Sequence, residues 1–428
     1  MHKWLRAGAL LAGFWMMATQ ACADTLLVRA GRVIDVIQSR VLTDQLIRVE
    51  DGRFVSISAF PAEAPAGVID WSAYTILPGL MDMHTHLVGD ITSSNVAAPL
   101  MSSPATDALM GVVNARATLN AGFTTVRDVG VYRAFVDVAL RDAINAGQIE
   151  GPRMFVAGAY VTVSHGGGEV TGLAPDVVIP DEFRRGVANN ESEVRQRVRE
   201  MLGGGADFIK VIATGAVLTS GTTPGASEYT ESELRAAVEE AAQYGAFVAA
   251  HAHGAEGVRR AVRAGVRSIE HGSYLDAEGI RLMRRRPVWL VPDIYNGDYI
   301  DEIGRRDGWP EEILRKNTET TGTQRQAFTQ AVRAGVRIAY GTDSGVYPHG
   351  ENARQFAYMV RYGMTPMQAI QSATINSAEL LGREDLGAIS PGRRADMIAV
   401  AGDPLQDIDR LHRSVVAVMK DGAIIRQP

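Results

Sequence analysis

Cysteine is nearly absent: the 428-residue chain has one, Cys22. It falls in a stretch expected to be cleaved away, which would leave no thiol and exclude disulfides and cysteine-based catalysis. Long runs of one charge sign are also missing. The net charge is −6, with acidic and basic residues mixed throughout, so nucleic-acid binding has no electrostatic support. No apolar run is comfortably long enough to span a membrane. The nearest candidate, Ala7 to Ala18, follows Lys3 and Arg6 and precedes Ala21-Cys22-Ala23. A basic start, a short apolar stretch and a small-x-small site read as a secretory signal over 1–23, cleaved after Ala23. Thr19-Gln20-Ala21 makes a poor lipobox before Cys22. A secreted or periplasmic protein without stable membrane insertion is expected. With 46% hydrophobic and 21% charged residues, the rest is globular and can bury a large core.

Both ends of the remaining chain read as short strands. Leu26-Leu27-Val28, Arg32 to Val36, Gln45 to Val49 and Phe54 to Ile57 are followed, at the far end, by Ala395 to Val400 and Val415 to Met419. The Asp-Gly pairs at Asp51-Gly52 and Asp421-Gly422 are hairpin signals. A small β-sandwich assembled from residues 24–77 and 383–428 is the expected result. Residues 78–382 instead repeat one unit: a helix ends at glycine, an apolar strand follows, and a polar residue closes it. Examples are Gly205 to Lys210, Gly245 to His251, Gly265 to His271 and Gly335 to Asp343. With strands ending near Val126, at Met154 to Ala157 and at Val288 to Val291, and a first strand ending at His84-Thr85-His86, the count reaches eight. Alternating strands and helices predict a parallel sheet, here closed as a (β/α)8 TIM barrel. The Gly- and Pro-rich stretch 165–182 is long enough to be a functional lid.

The polar residues at the strand ends carry the chemistry. A barrel gathers the C-terminal ends of its strands at one mouth, so His84, His86, Lys210, His251, His271 and Asp343 would meet there. Strand residues two apart share a face, so His84 and His86 can hold one ion through neutral imidazoles. Lys210 lies inside the apolar Phe208-Ile209-Lys210-Val211-Ile212. Burying a free ammonium is costly, which leaves a core ion pair, or a neutral amine that adds carbon dioxide to give a two-oxygen carbamate. Spacing does not decide whether His251 or His253 takes the metal. His251 is nearer the strand, and His253 would then lie closer to substrate. Asp343, among small residues, suits a metal ligand that also moves a proton. Tyr295, Arg127 and Tyr229 are read more simply as packing residues.

Pro78-Gly79-Leu80-Met81-Asp82-Met83-His84-Thr85-His86, Phe208-Ile209-Lys210, His251-Ala252-His253-Gly254, Ile269-Glu270-His271-Gly272, Gly341-Thr342-Asp343 and the tail Gly387 to Asp396 resemble the amidohydrolase superfamily over nearly the whole mature chain. Within it the chain is similar to the imidazolonepropionase-related, Xaa-Pro and Xaa-Arg/Lys dipeptidase group and to ochratoxinase-type amidases. The resemblance implies two divalent ions of the zinc type, though manganese, cobalt or iron could replace zinc. One would sit on His84, His86 and Asp343 and the other on His251 and His271. N6-carboxylated Lys210 and a hydroxide would bridge them, and Asp343 would pass a proton to the leaving amine. It also implies substrate contacts from His165 and His253, and a homo-oligomer. Imidazolonepropionases lack the bridging lysine, so Lys210 favours an amidase acting beside a C-terminal amino acid, on a dipeptide or other small molecule. A lactonase or esterase is the first alternative. A deaminase or a silent scaffold follows.

Overall fold

The computed structural model describes residues 25–89 and 95–428. The signal-peptide expectation, with Cys22, lies outside the described residues. No helix among them is long and apolar enough to cross a membrane.

The chain opens with β1 (Thr25–Asp35), β2 (Arg40–Glu50), β3 (Arg53–Ala59) and β4 (Val68–Pro78). Only Gly79 separates β4 from β5 (Leu80–Thr85). A Cβ at residue 79 would sit 2.3 Å from Thr124 Oγ1, so glycine lets the chain pass against the next strand at that junction. There follow β6 (Phe123–Asp128), β7 (Arg153–Val156), β8 (Tyr160–Val161), β9 (Ile209–Ile212), β10 (Val248–Ala252), β11 (Ser268–His271) and β12 (Trp289–Val291). The last three are β13 (Met397–Ala401), β14 (Val415–Lys420) and β15 (Ala423–Arg426).

Both chain ends join in one seven-stranded sheet, ordered β15-β14-β13-β4-β1-β2-β3. The expected two-layer sandwich is therefore corrected to one continuous sheet. It curls: Phe54 N bonds Arg393 O, and Gly392 N bonds Phe54 O, so β3 returns to the segment leading into β13. Curling lets the sheet cover its own apolar face. Val28, Ile47, Phe54, Trp71, Ile76, Met397 and Met419 pack there as one core cluster.

The middle strands form two parallel arcs, β5-β6-β7 and β12-β11-β10-β9-β8. Every residue of β5, β6, β9, β10, β11 and β12 is buried, as expected when helices cover one face and the opposite strands fill the other. The eighth expected strand is the main departure. The helix Glu311–Ala334 does end at Gly335 in the left-handed conformation, which glycine adopts freely. Yet residues 336–343 form no ladder strand, only the bridges Leu290↔Ile338 and, just beyond, Thr85↔Ser344. It still bonds both neighbours, though irregularly: Leu290 N to Arg337 O and Ala339 N to Leu290 O on the β12 side, and Met83 N to Tyr340 O and Asp343 N to His84 O on the β5 side, while two groups turn away. Tyr340 N bonds Ser372 O, and the Gly341 carbonyl accepts from the Gln355 side chain. The segment thus spans the space between the arcs without closing a continuous ladder.

Candidate active site

The parallel strands bring His84, His86, Lys210, His251, His253, His271 and Asp343 to one cavity with about 800 Å³ of empty space, counting its mouth. His84 and His86 leave β5 on one face, as their spacing requires. Lys210 and Ile212 of β9 line the cavity two residues apart. In register, Lys210 pairs with Ala249, and Ala252 with His271, so three neighbouring strands present their polar ends together.

The ring nitrogens are oriented from behind. His84 Nδ1 lies 2.9 Å from Glu270 Oε2, and His86 Nδ1 lies 2.9 Å from Gly130 O. Those partners accept, so each Nδ1 carries the hydrogen and each Nε2 presents a lone pair. Both lone pairs face Asp343 Oδ1, at 3.3 Å from His84 and 3.2 Å from His86. Two lone pairs and an anionic oxygen at such distances repel unless a cation or proton lies among them. Burial opposes charging His84, but the Asp343 and Glu270 carboxylates outweigh it and raise its pKa. Burial lowers the pKa of His86. Burial would raise Asp343, but His84 and His86 hold it well below the carboxylate range.

A second group adjoins the first. The His251 and His271 rings are 4.5 Å apart between centroids, and His84 and His271 4.8 Å. His251, His253 and His271 each offer a nitrogen within 4.8 Å of the others, as do the potential ligand atoms of His271, Asp293 and Asp343. Burial, then neighbouring imidazoles, push His251 and His253 well below the usual histidine range, so both are neutral donors. His251 Nε2 lies 3.3 Å from Gly215 O and His253 Nδ1 lies 2.7 Å from Ser273 Oγ, which leaves one nitrogen free on each ring. His271 Nδ1 is buried 3.0 Å from Asp293 Oδ2 but out of hydrogen-bond alignment. Neutral imidazoles, an orphaned ring nitrogen and a low-pKa carboxylate make a donor set that fits divalent metal.

Lys210 is 2% exposed, and burial lowers its pKa to about 8. The core-pair reading fails: among the described residues no carboxylate lies within ion-pair distance of its amine, because Glu270 is taken by Arg127 at 2.8 and 2.9 Å. His271 and Asp343 have φ of 68° and 58°, a conformation costly for side-chain-bearing residues and concentrated at functional sites.

His165 departs from expectation. It is exposed, has a φ of 61°, and does not line the cavity. Its backbone N–H is bound by the buried Glu169, which turns this loop in on itself, and only Gly168 of the 165–182 stretch reaches the cavity. Arg127, Tyr229 and Tyr295 likewise stay off its lining, and Tyr229 bonds Ala188 O at 2.8 Å. The residues missed were Glu270 and Asp293 with its amides. Asn296 Nδ2 donates to Asp293 Oδ2 at 2.8 Å and Asp343 Oδ2 at 3.0 Å, and Gln324 Nε2 donates to Asp293 Oδ1 at 2.5 Å. Both carboxylates had a readable signal: Glu270 interrupts an apolar strand as Lys210 does, and Asp293 closes Trp289-Leu290-Val291-Pro292.

Parallel strands that deliver imidazoles, a lysine and carboxylates into one buried cavity define a hydrolase of the metal-binding kind. The chain belongs to the amidohydrolase family, whose profile matches residues 75–425, and it is a hydrolase acting on C–N bonds. It is similar to ochratoxinase from Aspergillus niger, with 32% identity over 374 residues, 82% of this chain and 76% of that one. It is similar to a Xaa-Pro dipeptidase solved with methionine in its active site, at TM-score 0.88 and 38% identity, covering 94% of this chain and 100% of that one. A prolidase complexed with N-methylphosphonate-L-proline gives TM-score 0.88 and 28% identity, covering 95% and 100%. The family implies a TIM barrel with an added domain, which the two arcs and the curled sheet match in part.

Proposed function

We propose that this protein is a binuclear amidohydrolase that cleaves an amide or peptide bond beside a C-terminal amino acid, in a dipeptide or N-acyl amino acid. The observation that carries this is the convergence of His84 Nε2 and His86 Nε2 on Asp343 Oδ1, next to buried Lys210 and the histidines of β10 and β11. The likeness to ochratoxinase, a Xaa-Pro dipeptidase and a prolidase supports the substrate class. In this reading His84, His86 and Asp343 hold one zinc-type ion and His251 and His271 the other. When bound, the ions acidify a water and polarise the scissile carbonyl.

The chain's own groups do the rest. Lys210, with a pKa near 8, offers a neutral amine in reach of neutral pH. Its nitrogen bonds to carbon dioxide, one amine proton leaves, and the product is an anionic carbamate with two ligand oxygens. Asp343, anionic and pinned through Oδ2 by Asn296, keeps Oδ1 aimed at the reacting centre. It accepts the proton released when water attacks and returns it to the departing nitrogen, so a neutral amine leaves. Glu270 and Gly130 hold His84 and His86 in the tautomer this needs. His253, tied to Ser273, faces the substrate side. We read 78–382 as the catalytic unit, 24–77 with 383–428 as its flanking sheet domain, and the mature protein as exported.

The test is amino-acid release by zinc-loaded enzyme from dipeptides and N-acyl amino acids. Release that stops on chelation and returns with zinc is expected. Release untouched by chelation would refute the metal-dependent reading. Hydrolysis confined to lactones or other esters would refute the amide reading.

A further inference from the structure

The charged groups lining the cavity are confined to its floor. Among the described residues that line it, only Lys210, Asp293 and Asp343, beside the histidines, are ionisable acids or bases of the charged kind. The outer wall comes from two places. Val217 and Leu218 belong to the loop after β9, and Ile300, Thr320 and Thr321 to the helices Asn296–Asp307 and Glu311–Ala334. Val346 completes it. Ile300 and Val346 form one hydrophobic cluster with Trp309, Ile313, Leu314 and Tyr347, and Leu218 packs on it. The wall is thus the inner face of an apolar core.

Its polar groups are already engaged. The Thr320 hydroxyl donates to Lys316 O at 2.9 Å and that of Thr321 to Asn317 O at 2.8 Å. Asn296 and Gln324 direct their amides to Asp293. Lys316, on the helix that supplies Thr320 and Thr321, is buried and bonds Thr219 O at 2.8 Å and Glu312 Oε1 at 2.7 Å. Among the described residues, a lysine or arginine side chain placed against this wall would meet no carboxylate, and a glutamate no cation. Transferring an unpaired charge from water into such surroundings is strongly unfavourable, whereas an apolar side chain gains contact.

Resting on the amidase reading, we infer that the wall of Val217, Leu218, Ile300 and Val346 selects substrates whose C-terminal residue has an uncharged, apolar side chain, such as phenylalanine, leucine or methionine. Basic and acidic residues are rejected. Because every member of an alanyl-Xaa series carries the same terminal carboxylate, ratios within the series report the side chain alone.

The experiment compares kcat/KM of zinc-loaded enzyme for alanyl-Phe, -Leu and -Met with alanyl-Lys, -Arg and -Glu. The apolar set should exceed the charged set by at least about 100-fold. Charged members within tenfold of the apolar ones would overturn the inference while leaving the amidase reading intact. If neither these dipeptides nor the matching N-acyl amino acids are cleaved, the amidase reading falls, and calorimetric binding of the free amino acids decides the wall. Tenfold tighter binding of phenylalanine, leucine and methionine than of lysine, arginine and glutamate upholds it, and equal binding overturns it. Ile300→Asp should raise the lysine-to-leucine ratio at least tenfold. Should that buried substitution prevent folding, Val217→Asp, in the half-buried loop, makes the same test. An unchanged ratio in the folded variant would overturn the assignment of this wall.

Discussion

Two interiors of this molecule are equally shielded from water and built on opposite chemistry. Inside the curled terminal sheet lie Val28, Ile47, Trp71, Ile76, Met397 and Met419, packed on one another. Between the parallel arcs lie Arg127 and Glu270, each fully buried, with Lys210, His84 and Asp82. The first interior asks only that side chains be apolar and fit, so many sequences would serve. The second holds charges that burial penalises: Arg127 and Glu270 persist through named partners, whereas burial lowers the pKa of Lys210 to about 8. Arg127 alone donates to Met83 O at 2.7 Å, Ser268 Oγ at 2.9 Å and both oxygens of Glu270. The difference teaches where function sits: the sheet supplies stability, and the polar interior spends stability to hold a catalytic geometry.

The sharpest way to break the contrast is to remove a group that acts chemically. Asp343→Asn and Lys210→Ala should each cut turnover by about a thousandfold or more, since in the proposed mechanism each residue helps to hold the ions or move the proton. Circular dichroism and a cooperative unfolding transition should be retained, because Asn keeps the size of Asp343 and still accepts from Asn296, and among the described residues Lys210 anchors no ion pair. Steady-state kinetics beside thermal unfolding checks both halves. Activity within tenfold of wild type in either variant would sink the mechanism.

Breaking the buried pair should instead fall on stability. Arg127→Met leaves Glu270 buried without its cation and should cost about 3–5 kcal/mol. Urea unfolding measures it, and a loss under 1 kcal/mol would mean that Glu270 finds another partner. This is also where the chain resists reading from sequence. His84 and His86 are legible because a two-residue spacing puts them on one strand face, and Lys210 because a cation stands in an apolar strand. The seam between Arg127 and Glu270 joins residues 143 apart, and nothing local in either strand names the other. The segment 336–343 misleads for a related reason. Its apolar run and its glycine both favour a strand, and it does bond β12 and β5, but Tyr340 N and the Gly341 carbonyl turn to Ser372 and Gln355, partners that lie further along the chain. His165 sits in an apt-looking loop, yet Glu169 and Glu228 fold that loop so that it points away.

Asp293 tests whether the polar interior is graded. It lines the cavity beside His271 and Asp343, so Asp293→Asn should weaken metal binding by roughly 10- to 100-fold and leave the fold intact. Competition with a chelator, read by metal analysis, gives that number without relying on turnover. Affinity equal to wild type would mean that the 3.0 Å approach to His271 does not orient the ring.

Glu228 carries the contrast to the loop of Gly167, whose N–H it accepts. Burial raises its pKa to about 7, against the opposing effect of the Gly167 N–H that it accepts. A folded-state pKa above the unfolded one means that the native state binds the proton more tightly, so its stability is greatest below the unfolded value and falls as pH rises through about 7. Glu228→Gln keeps a neutral acceptor for Gly167 and removes the titration. The wild type should therefore lose on the order of 2 kcal/mol relative to this variant between pH 5 and pH 8. Urea unfolding across that range checks it, and parallel curves would place the Glu228 pKa at its ordinary value.

The smallest effect belongs to the sheet. Ile76 is fully buried beside Met397 and Trp71 in an all-apolar cluster, and Ile76→Val deletes one methylene. About 1 kcal/mol should be lost, the same at pH 5 and pH 8, with metal affinity and kcat/KM unchanged. That invariance is the point of the comparison. Ile76 lies on β4, which runs through Gly79 into β5 and His84, so a shift in turnover would show that the two interiors are mechanically joined at this strand. An unaltered rate beside a measurable loss of stability would mean that the sheet steadies the catalytic unit without tuning it.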